Sequence, residues 1–190
     1  MGSYFSDAGL FFIDTAFGIY ILLVLLRFLL QLTRADFYNP ISQFIVRATN
    51  PPLVRLRRFI PGLWRVDLSA LLLLLGMEVI RLTLTAMLLG HSPQFAGIVV
   101  LSIGELAKLA VYVVIFSIFV RALLSWFSSG LQHPMTRLLG SFTDPILRPA
   151  RRIIPVTSGI DLSPLIVFIV MTLVLKLLVQ PLLDLGRSLF

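Results

Sequence analysis

The sequence predicts an all-α membrane protein with four membrane-spanning helices. Hydrophobic residues make up 58% of its 190 residues and charged residues only 13%, a composition outside that of soluble globular domains. Four apolar stretches are each long enough to cross the hydrocarbon layer of about 30 Å, which takes about 20 helical residues. A third observation is that the spans and the loops between them repeat at a fixed distance along the chain.

The four predicted spans cover residues 10–32, 68–89, 95–127 and 162–185. The third span is longer than a perpendicular crossing requires, so we expect it to tilt or to continue as helix beyond the membrane. Of the 16 Lys and Arg residues, six lie between the first two spans and four between the last two, whereas the short loop "GHSPQFA" has none. By the positive-inside rule both long loops are then cytoplasmic, and both termini lie outside.

The two long loops belong to an internal repeat. Residues 27–69 align with residues 121–163 without a gap, at an offset of 94, and 14 of the 43 positions are identical. The identities include prolines and charged residues, which shared hydrophobicity would not produce, so we interpret the chain as a duplication. We expect two parallel units, residues 1–90 and 95–190, related by a pseudo-two-fold axis along the membrane normal.

Each long loop has the pattern of an amphipathic helix lying in the inner membrane interface. A start signal, Asn39-Pro40 or His133-Pro134, precedes apolar residues at helical spacing. These apolar residues are Ile41, Phe44, Ile45 and Ala48 in the first loop and Met135, Leu138, Leu139 and Phe142 in the second. A second, short basic helix is predicted to begin at Asn50 or Asp144 and to stop at Pro61 or Pro155, and Ser163 is predicted to cap the last span.

Two arginine pairs, one at the end of each predicted basic helix, are candidates for docking. We expect Arg57 and Arg58, with Arg151 and Arg152, to contact anionic phospholipid or a partner protein rather than nucleic acid. Two further pairs recur near the inner boundary of the membrane. We predict an ion pair between Arg27 and Asp67, and its repeat between Arg121 and Asp161; alternatively each Arg contacts a lipid phosphate and each Asp caps a helix.

Ionisable residues within the spans are costly in lipid and must find a partner or water. Six residues belong to this set: Asp14, Glu78, Arg81, Glu105, Lys108 and Lys176. Equal distances from the short loop predict that Glu78 pairs with Lys108 and Arg81 with Glu105, and spacings of i, i+3 also permit pairs within each helix. For Lys176 the candidate partner is Asp14, reached by snorkelling. The cluster is either a clamp that fixes helix packing or an ion path.

Sequence motifs for catalysis and for cofactor or metal binding are absent. The chain has no Cys, its two His residues are far apart, and no glycine-rich phosphate loop or HExxH motif occurs. We therefore expect no enzyme activity, no cofactor and no metal site.

The motifs "SWF", "TDPILRPARRIIP" and "GIDLSP", in this order and followed by a span, resemble the YggT (YlmG) family of integral membrane proteins. The first copy departs from the pattern with "TNPPLVRLRRFIP" and "VDLSA". The resemblance implies a bacterial cytoplasmic (inner) membrane protein, with relatives linked to cell division, to osmotic stress and potassium uptake, and to haem maturation in plastids.

These observations predict a non-catalytic scaffold or assembly factor. Its partners would be anionic phospholipid, other membrane proteins or a second copy of itself. The alternative is a small protein that translocates potassium or protons, or that acts in osmotic stress, through the charges within the membrane.

Overall fold

The computed structural model describes residues 2–60, 66–127, 133–153 and 161–189. Its regular elements are helices. In chain order they are α1 (Gly2–Leu32), α2 (Pro40–Leu56), α3 (Leu68–Leu88), α4 (Phe95–Phe127), α5 (Pro134–Ile153), α6 (Ser163–Val174), a π-helical turn (Leu175–Val179) and α7 (Gln180–Ser188). The π-helical turn joins α6 to α7, so these three elements form one long helix.

Four long helices are apolar and long enough to cross a membrane, as the sequence predicts. These are Tyr4–Leu32, Leu68–Leu88, Phe95–Leu124 and Ser163–Ser188. The first begins several residues before the predicted start, because helix α1 continues from Gly2 through residues that are less apolar. Four such helices indicate a multi-pass membrane protein.

The main core lies between α1 and α4 and extends to α5. Ile21 and Val24 of α1 pack in one cluster with Val114 and Ile118 of α4 and Phe142 of α5. All five side chains are buried. The first and third long helices therefore form the centre of the bundle, with α3 packed on α1 and on α4, and α7 packed on α4.

Helices α4 and α7 approach closely at two glycines. Leu183 of α7 packs over Gly104 of α4, and Leu101 of α4 packs over Gly186 of α7. A Cβ atom added to Gly186 would lie 2.8 Å from the backbone of Leu101, closer than two such atoms can come. Small residues at helix contacts allow backbones within a membrane to pack this closely.

The loop helices α2 and α5 are each continuous, which corrects the prediction of two short helices per loop. Helix α2 runs through Pro51 and Pro52, and α5 runs through Pro145 and Pro149. Asn50 and Asp144 therefore lie inside a helix and do not cap a new one. The predicted stops at Pro61 and Pro155 lie outside the described residues.

One side of each loop helix is buried against the other helices. In α2 the buried residues are Ser42, Ile45, Thr49 and Leu53, and Phe44 is 64% exposed. This buried side turns Thr49 toward an arginine of α1. In α5 the buried residues include Leu138, Leu139 and Phe142, and all three are among the predicted apolar positions.

The helix starts are set by side chains of Asn and Asp. The Oδ1 atom of Asn39 accepts a hydrogen bond of 3.0 Å from the N–H of Ile41 and caps α2, and Asp67 accepts one of 3.2 Å from Ala70 and caps α3. The prediction that Ser163 caps the last span is wrong, because α6 begins at Ser163 itself. Its N–H donates instead to Oδ1 of Asp161 at 2.9 Å.

Candidate functional site

The first candidate site joins α1 to the loop helix α2 through Arg27. This side chain is only 5% exposed. Its Nη1 atom donates to Oγ1 of Thr49 and to Oδ1 of Asn50, both at 2.9 Å, and to the carbonyl of Val46 at 3.3 Å. Thr49, which is fully buried, donates in turn to the carbonyl of Ile45 at 2.7 Å. We call this arrangement of Arg, Thr and Asn or Asp an arginine bracket.

The same arginine bracket occurs 94 residues later. Nη1 of Arg121 donates to Oγ1 of Thr143 and to Oδ1 of Asp144, both at 2.7 Å, and to the carbonyl of Gly140 at 3.4 Å. Thr143 is fully buried and donates to the carbonyl of Leu139 at 2.6 Å. The difference between the two brackets is one of charge, because Asn50 is neutral whereas Asp144 carries a carboxylate.

The arginine brackets lie beside prolines of the loop helices. Proline lacks the N–H of the helical hydrogen bond and costs about 3 kcal/mol or more inside a helix. In α2 the residues bound by Arg27 lie immediately before Pro51, and in α5 those bound by Arg121 lie immediately before Pro145. Each arginine therefore ties the turn before a proline to the preceding span.

The predicted pairing of Arg27 with Asp67 and of Arg121 with Asp161 is replaced by another arrangement. Asp67 accepts a hydrogen bond from Arg57, and Asp161 accepts from Nη2 of Arg151 at 2.9 Å. The aspartates are more readily reached from the end of the loop helix, ten residues away in sequence, than from the preceding span. Each Arg–Asp pair connects the end of its loop helix to the start of the next span.

Asp144 and Asp161 have pKa values below the ordinary value of an aspartate. Burial raises the pKa of Asp144, but hydrogen bonding and the positive charges of Arg121 and Arg151 outweigh it, so that the pKa is lowered from 3.8. Burial likewise raises the pKa of Asp161, and hydrogen bonds from Ser163 and Arg151 lower it overall. Both groups are therefore ionised at neutral pH, as their arginine partners require.

The two arginines of each docking pair have different surroundings. Arg57 and Arg151 are bound to aspartates, as above, whereas Arg58 and Arg152 are exposed. Each exposed arginine is followed by an exposed apolar side chain: Phe59 is 84% exposed and Ile153 is 73% exposed. The ends of both loop helices therefore present a cation next to an apolar group.

Three of the charged residues within the spans form a connected cluster. Arg81 of α3 donates from Nε to Glu78 at 3.1 Å, with a second bond from Nη2, and from Nη1 to Oδ1 of Asp14 in α1 at 2.7 Å. Glu78 is almost fully buried, and half of the Asp14 side chain is exposed. The arginine thus ties α3 to α1. We call these three residues the α1–α3 charge cluster.

The predicted pairs across α3 and α4 are replaced by pairs within each helix. Glu105 binds Lys108 in the same helix at 3.2 Å, and Glu78 binds Arg81 as above. Asp14 binds Arg81 and not Lys176, which corrects that prediction as well. Among the described residues, Lys176 takes part in no hydrogen bond or ion pair, and its side chain is exposed.

Polar contacts also connect the two loop helices. The Nδ2 atom of Asn39, at the start of α2, donates to the carbonyl of Pro134, at the start of α5, at 2.6 Å. Asp36 accepts from Nη2 of Arg137 at 3.0 Å, and its N–H donates to Oγ of Ser141 at 3.2 Å. These contacts have no counterpart at the offset of 94, because residues equivalent to Asp36 and Arg137 are Gly130 and Gln43.

An apolar cavity of about 220 Å³ lies between the two halves. Its lining comes from α1, α2, α4 and α5, and Ser117 is the one residue of the lining with a polar side chain. The lining includes Leu22 and Ile41. It also includes Phe116 and Met135, which lie 94 residues later in the sequence. Within the described residues, no group of three or more His, Cys, Asp or Glu could hold a metal ion.

Sequence reasoning missed the role of Thr49 and Thr143. The available signal was their identity at the offset of 94, since a threonine kept at one place in both copies, next to Asn50 or Asp144, marks a polar contact made twice. The glycine contacts between α4 and α7 were also missed, and they leave a weaker signal because Gly104 and Gly186 are far apart in sequence.

Comparisons with known proteins give one family. A family model described as CCB3/YggT matches the chain twice, at residues 6–88 and 100–182. An uncharacterized protein of Pseudomonas aeruginosa is 38% identical over 177 residues, which cover 92% of this chain and 90% of that protein. An uncharacterized protein of Vibrio alginolyticus is 40% identical over 161 residues, which cover 84% of this chain and 86% of that protein.

The protein called "Uncharacterized protein YggT" of Escherichia coli K12 is 34% identical over 165 residues, which cover 85% of this chain and 84% of that protein. No solved structure matches the chain at a significant level.

Proposed function

The chain belongs to the CCB3/YggT family, and from this premise we propose that it is a non-catalytic scaffold or assembly factor of the bacterial inner membrane. In this proposal the four spans form a rigid support. The two loop helices are its working surface, and they bind anionic phospholipid and partner membrane proteins on the cytoplasmic side.

The proposed architecture consists of two parallel units, residues 1–90 and 95–190. Two observations support it: the family model matches twice at starts and ends that differ by 94 residues, and the arginine brackets recur at the same offset. Units with the same direction in the membrane are related by an axis along its normal. The chain would then place both loop helices on the same side.

The proposed sidedness follows the charges. The loop helices carry most of the arginines outside the spans, and such residues favour the cytoplasmic side. Their exposed apolar side chains, Phe44 and Phe59 among them, are suited to the boundary between headgroups and hydrocarbon. The loop helices are accordingly proposed to be amphipathic and to lie in the inner interface, with both termini outside.

The observation that carries the docking role is the exposed pair at the end of each loop helix, Arg58 with Phe59 and Arg152 with Ile153. A cation beside an exposed apolar group can bind a lipid phosphate while the apolar group enters the membrane or a partner. The arginine brackets hold these pairs at fixed positions relative to the spans. A fixed pair of docking points is what a scaffold requires.

The experiment removes the two exposed arginines together. We expect the variant carrying Arg58→Gln and Arg152→Gln to keep its fold and thermal unfolding temperature, and to retain fewer molecules of phosphatidylglycerol in native mass spectrometry. Partner proteins recovered from native membranes in mild detergent should fall in parallel. Binding of a lipid headgroup at each of the two sites should fall by about fivefold if its arginine contributes roughly 1 kcal/mol at the surface.

The matched control carries Arg55→Gln and Arg148→Gln, which remove the same charge from exposed positions on the same two helices. It should bind lipid and partners as the wild-type protein does. Equal losses in both variants would show that only net charge matters, and would contradict the docking role of Arg58 and Arg152.

One observation favours the alternative function of ion translocation. The side chains of Glu105 and Lys108 are 25% and 34% exposed. Their charges are therefore accessible to potassium ions or protons that move along α4. In proteoliposomes, a potassium or proton flux that Glu105→Gln abolishes without unfolding the protein would decide for translocation and against the scaffold.

A further inference from the structure

Lys176 lies in the middle of the last long helix and has no partner among the described residues of its own chain. The helix runs from Ser163 to Ser188, so Lys176 is near its midpoint. Its side chain is exposed, and among the described residues it forms no hydrogen bond or ion pair. A lysine at such a depth costs several kcal/mol unless it meets an opposite charge or reaches the interface.

The helix is also irregular at this position. Residues Leu175–Val179 form a π-helical turn, which occurs mostly as a local bulge and frequently at functional sites. Polar side chains continue from it along the same exposed surface, at Thr172, Gln180 and Asp184. Gln180 donates to Asp184 at 2.9 Å, so these two satisfy each other, and Lys176 remains.

A negative charge is in excess elsewhere at the membrane interior. The α1–α3 charge cluster contains two carboxylates, Asp14 and Glu78, but only one cation, Arg81. Glu78 is buried, whereas 51% of the Asp14 side chain is exposed. Asp14 is surrounded on α1 by the exposed apolar residues Phe11 and Phe12, at 73% and 72%. The excess carboxylate therefore faces outward from the bundle, as Lys176 does.

The depth of Asp14 is set by its distance from the arginine bracket. Asp14 lies 13 residues before Arg27 on α1, and Lys108 lies 13 residues before Arg121 on α4. Both helices are continuous over these stretches. Because the two brackets are equivalent, Asp14 and Lys108 lie at the same depth in the two-unit arrangement proposed above.

The depth of Lys176 follows from the contact of α7 with α4. Gly104 meets Leu183, and seven residues back along the antiparallel helix Lys176 is level with Val111. Val111 is three residues from Lys108, which is about 4.5 Å along the helix axis. Asp14 and Lys176 therefore lie within about one helical turn in depth, a difference that a lysine side chain can span.

We propose that a second copy of this chain covers the exposed surface around Lys176, and that Lys176 of one copy pairs with Asp14 of the other. Lys176 is the one cation without a partner among the described charges of the four spans. Asp14 is the outward-facing carboxylate of the α1–α3 charge cluster. Two such pairs related by a two-fold axis close a dimer, and the charges within its membrane interior are then balanced. The inference rests on the two-unit arrangement but not on the scaffold function.

The experiment uses the absence of cysteine from the chain. Two differently tagged copies are co-expressed in bacterial membranes, one carrying Phe11→Cys, one turn outward from Asp14, and the other Gln180→Cys, one turn outward from Lys176. We expect a disulfide-linked heterodimer on oxidation. A copy with Ile103→Cys, at an exposed position of α4 and a similar depth, replaces the Gln180→Cys copy as the control and should give at least about tenfold less product.

The charge itself is tested in the same pair of copies. Lys176→Met in both should reduce the cross-linked product to the level of the control, and Lys176→Arg should retain it. Because Lys176 has no partner among the described residues of its own chain, the Lys176→Met protein should still fold. Arg187→Met, which removes a cation near the outer end of the same helix, should leave the cross-link unchanged.

Three results would overturn the proposal. The first is a cross-link that persists in Lys176→Met. The second is a Lys176→Met protein that fails to fold, because the lysine would then act within its own chain. The third is a wild-type protein that contains only one copy of the chain in lipid nanodiscs. Binding of a different acidic membrane protein in place of the second copy would count as this result.

Discussion

Arg27 and Arg121 are the residues that couple the spans to the loop helices. Each is placed near the end of a long apolar helix, and each finds a buried threonine and an amide or carboxylate oxygen on the following loop helix. Buried charges are tolerated when they are hydrogen-bonded. For Arg27 the acceptors are neutral, and for Arg121 they include a carboxylate that Arg151 also contacts at 3.4 Å.

The lowered pKa values of Asp144 and Asp161 predict how stability depends on pH. A carboxyl group whose pKa is lower in the folded state stabilises the fold above its ordinary pKa, and loses this contribution as pH falls through the folded value. The protein should therefore lose thermal stability as pH falls below about 4. Asp144→Asn should be less stable at neutral pH and should lose less on acidification.

The measurement is the thermal unfolding temperature in detergent between about pH 6 and about pH 3. Asp184→Asn is the control, because that carboxylate is 61% exposed on α7 and its ion pair with Arg187 is long, at 3.6 Å. It should follow the wild-type curve. If Asp144→Asn followed that curve too, the bracket of the second unit would contribute nothing through its charge.

At the scale of the elements, the packing of α4 on α7 depends on two glycines and on the leucines that fill them. The contact is reciprocal, with one glycine and one leucine contributed by each helix. No hydrophobic effect drives helices together in lipid, so close van der Waals packing has to supply much of the association. This contact also sets the register that places Lys176 on the outer surface.

Substitution of Gly186 tests this packing. Gly186→Ala should destabilise the protein by about 1–3 kcal/mol, since the new Cβ atom would meet the backbone of Leu101 at 2.8 Å and the helices would have to separate. Gly76→Ala is the control within a span, because nothing lies within 4 Å of its added Cβ atom. It should be neutral or stabilising by up to about 1 kcal/mol, owing to the better helix propensity of alanine.

Both variants are compared by thermal unfolding and by urea unfolding in mixed micelles. Equal stability of Gly186→Ala and Gly76→Ala would contradict the close approach of α4 and α7.

The spans could be predicted from the sequence, whereas the pairing of the charged residues could not. Hydrophobic length is a property of consecutive residues. It located most ends of the four long helices to within a few residues. The partner of Arg27 depends on where α2 lies against α1. The prediction of Asp67 was therefore wrong, because α2 places Asn50 rather than Asp67 against Arg27.

The same reasoning applies to the intramembrane charges. Counting from the short loop placed Glu78 level with Lys108 and Arg81 with Glu105, but depth does not determine which way a side chain points around its helix. Arg81 faces α1, where it meets Asp14 at 2.7 Å. The repeat provided more reliable information, because positions identical in both copies include Arg27, Thr49 and their equivalents.

At the scale of the whole molecule, the two halves are joined by contacts that do not repeat. Asn39 is 3% exposed and bonds to the carbonyl of Pro134, and Asp36 bonds to Arg137. The apolar cavity between the halves is lined by residues at matching positions, such as Leu22 with Phe116 and Ile41 with Met135. The lining of the cavity thus includes pairs of residues at the offset of 94, whereas the contact of Asp36 with Arg137 has no counterpart at that offset.

Asn39 allows the joining contact to be separated from the helix cap. Asn39→Ser keeps an oxygen that can cap α2 but removes the amide donor to Pro134, so we expect a loss of about 1 kcal/mol from the lost hydrogen bond. Asn39→Ala removes both interactions and should cost about 1 kcal/mol more.

These two variants are compared by thermal unfolding, with Gln43→Ser as a control on the exposed side of α2. Wild-type stability in Asn39→Ser would mean that the bond to Pro134 does not hold the halves together.

The short sequence distance within each arginine bracket has a consequence for biogenesis. Arg27 and its acceptors are only 22 and 23 residues apart. The whole bracket leaves the ribosome before α3 does, and the same holds for Arg121 and its acceptors relative to α6. Each arginine can thus be hydrogen-bonded by its own loop helix before the next span enters the bilayer, so that neither half has to be inserted with an unbonded arginine.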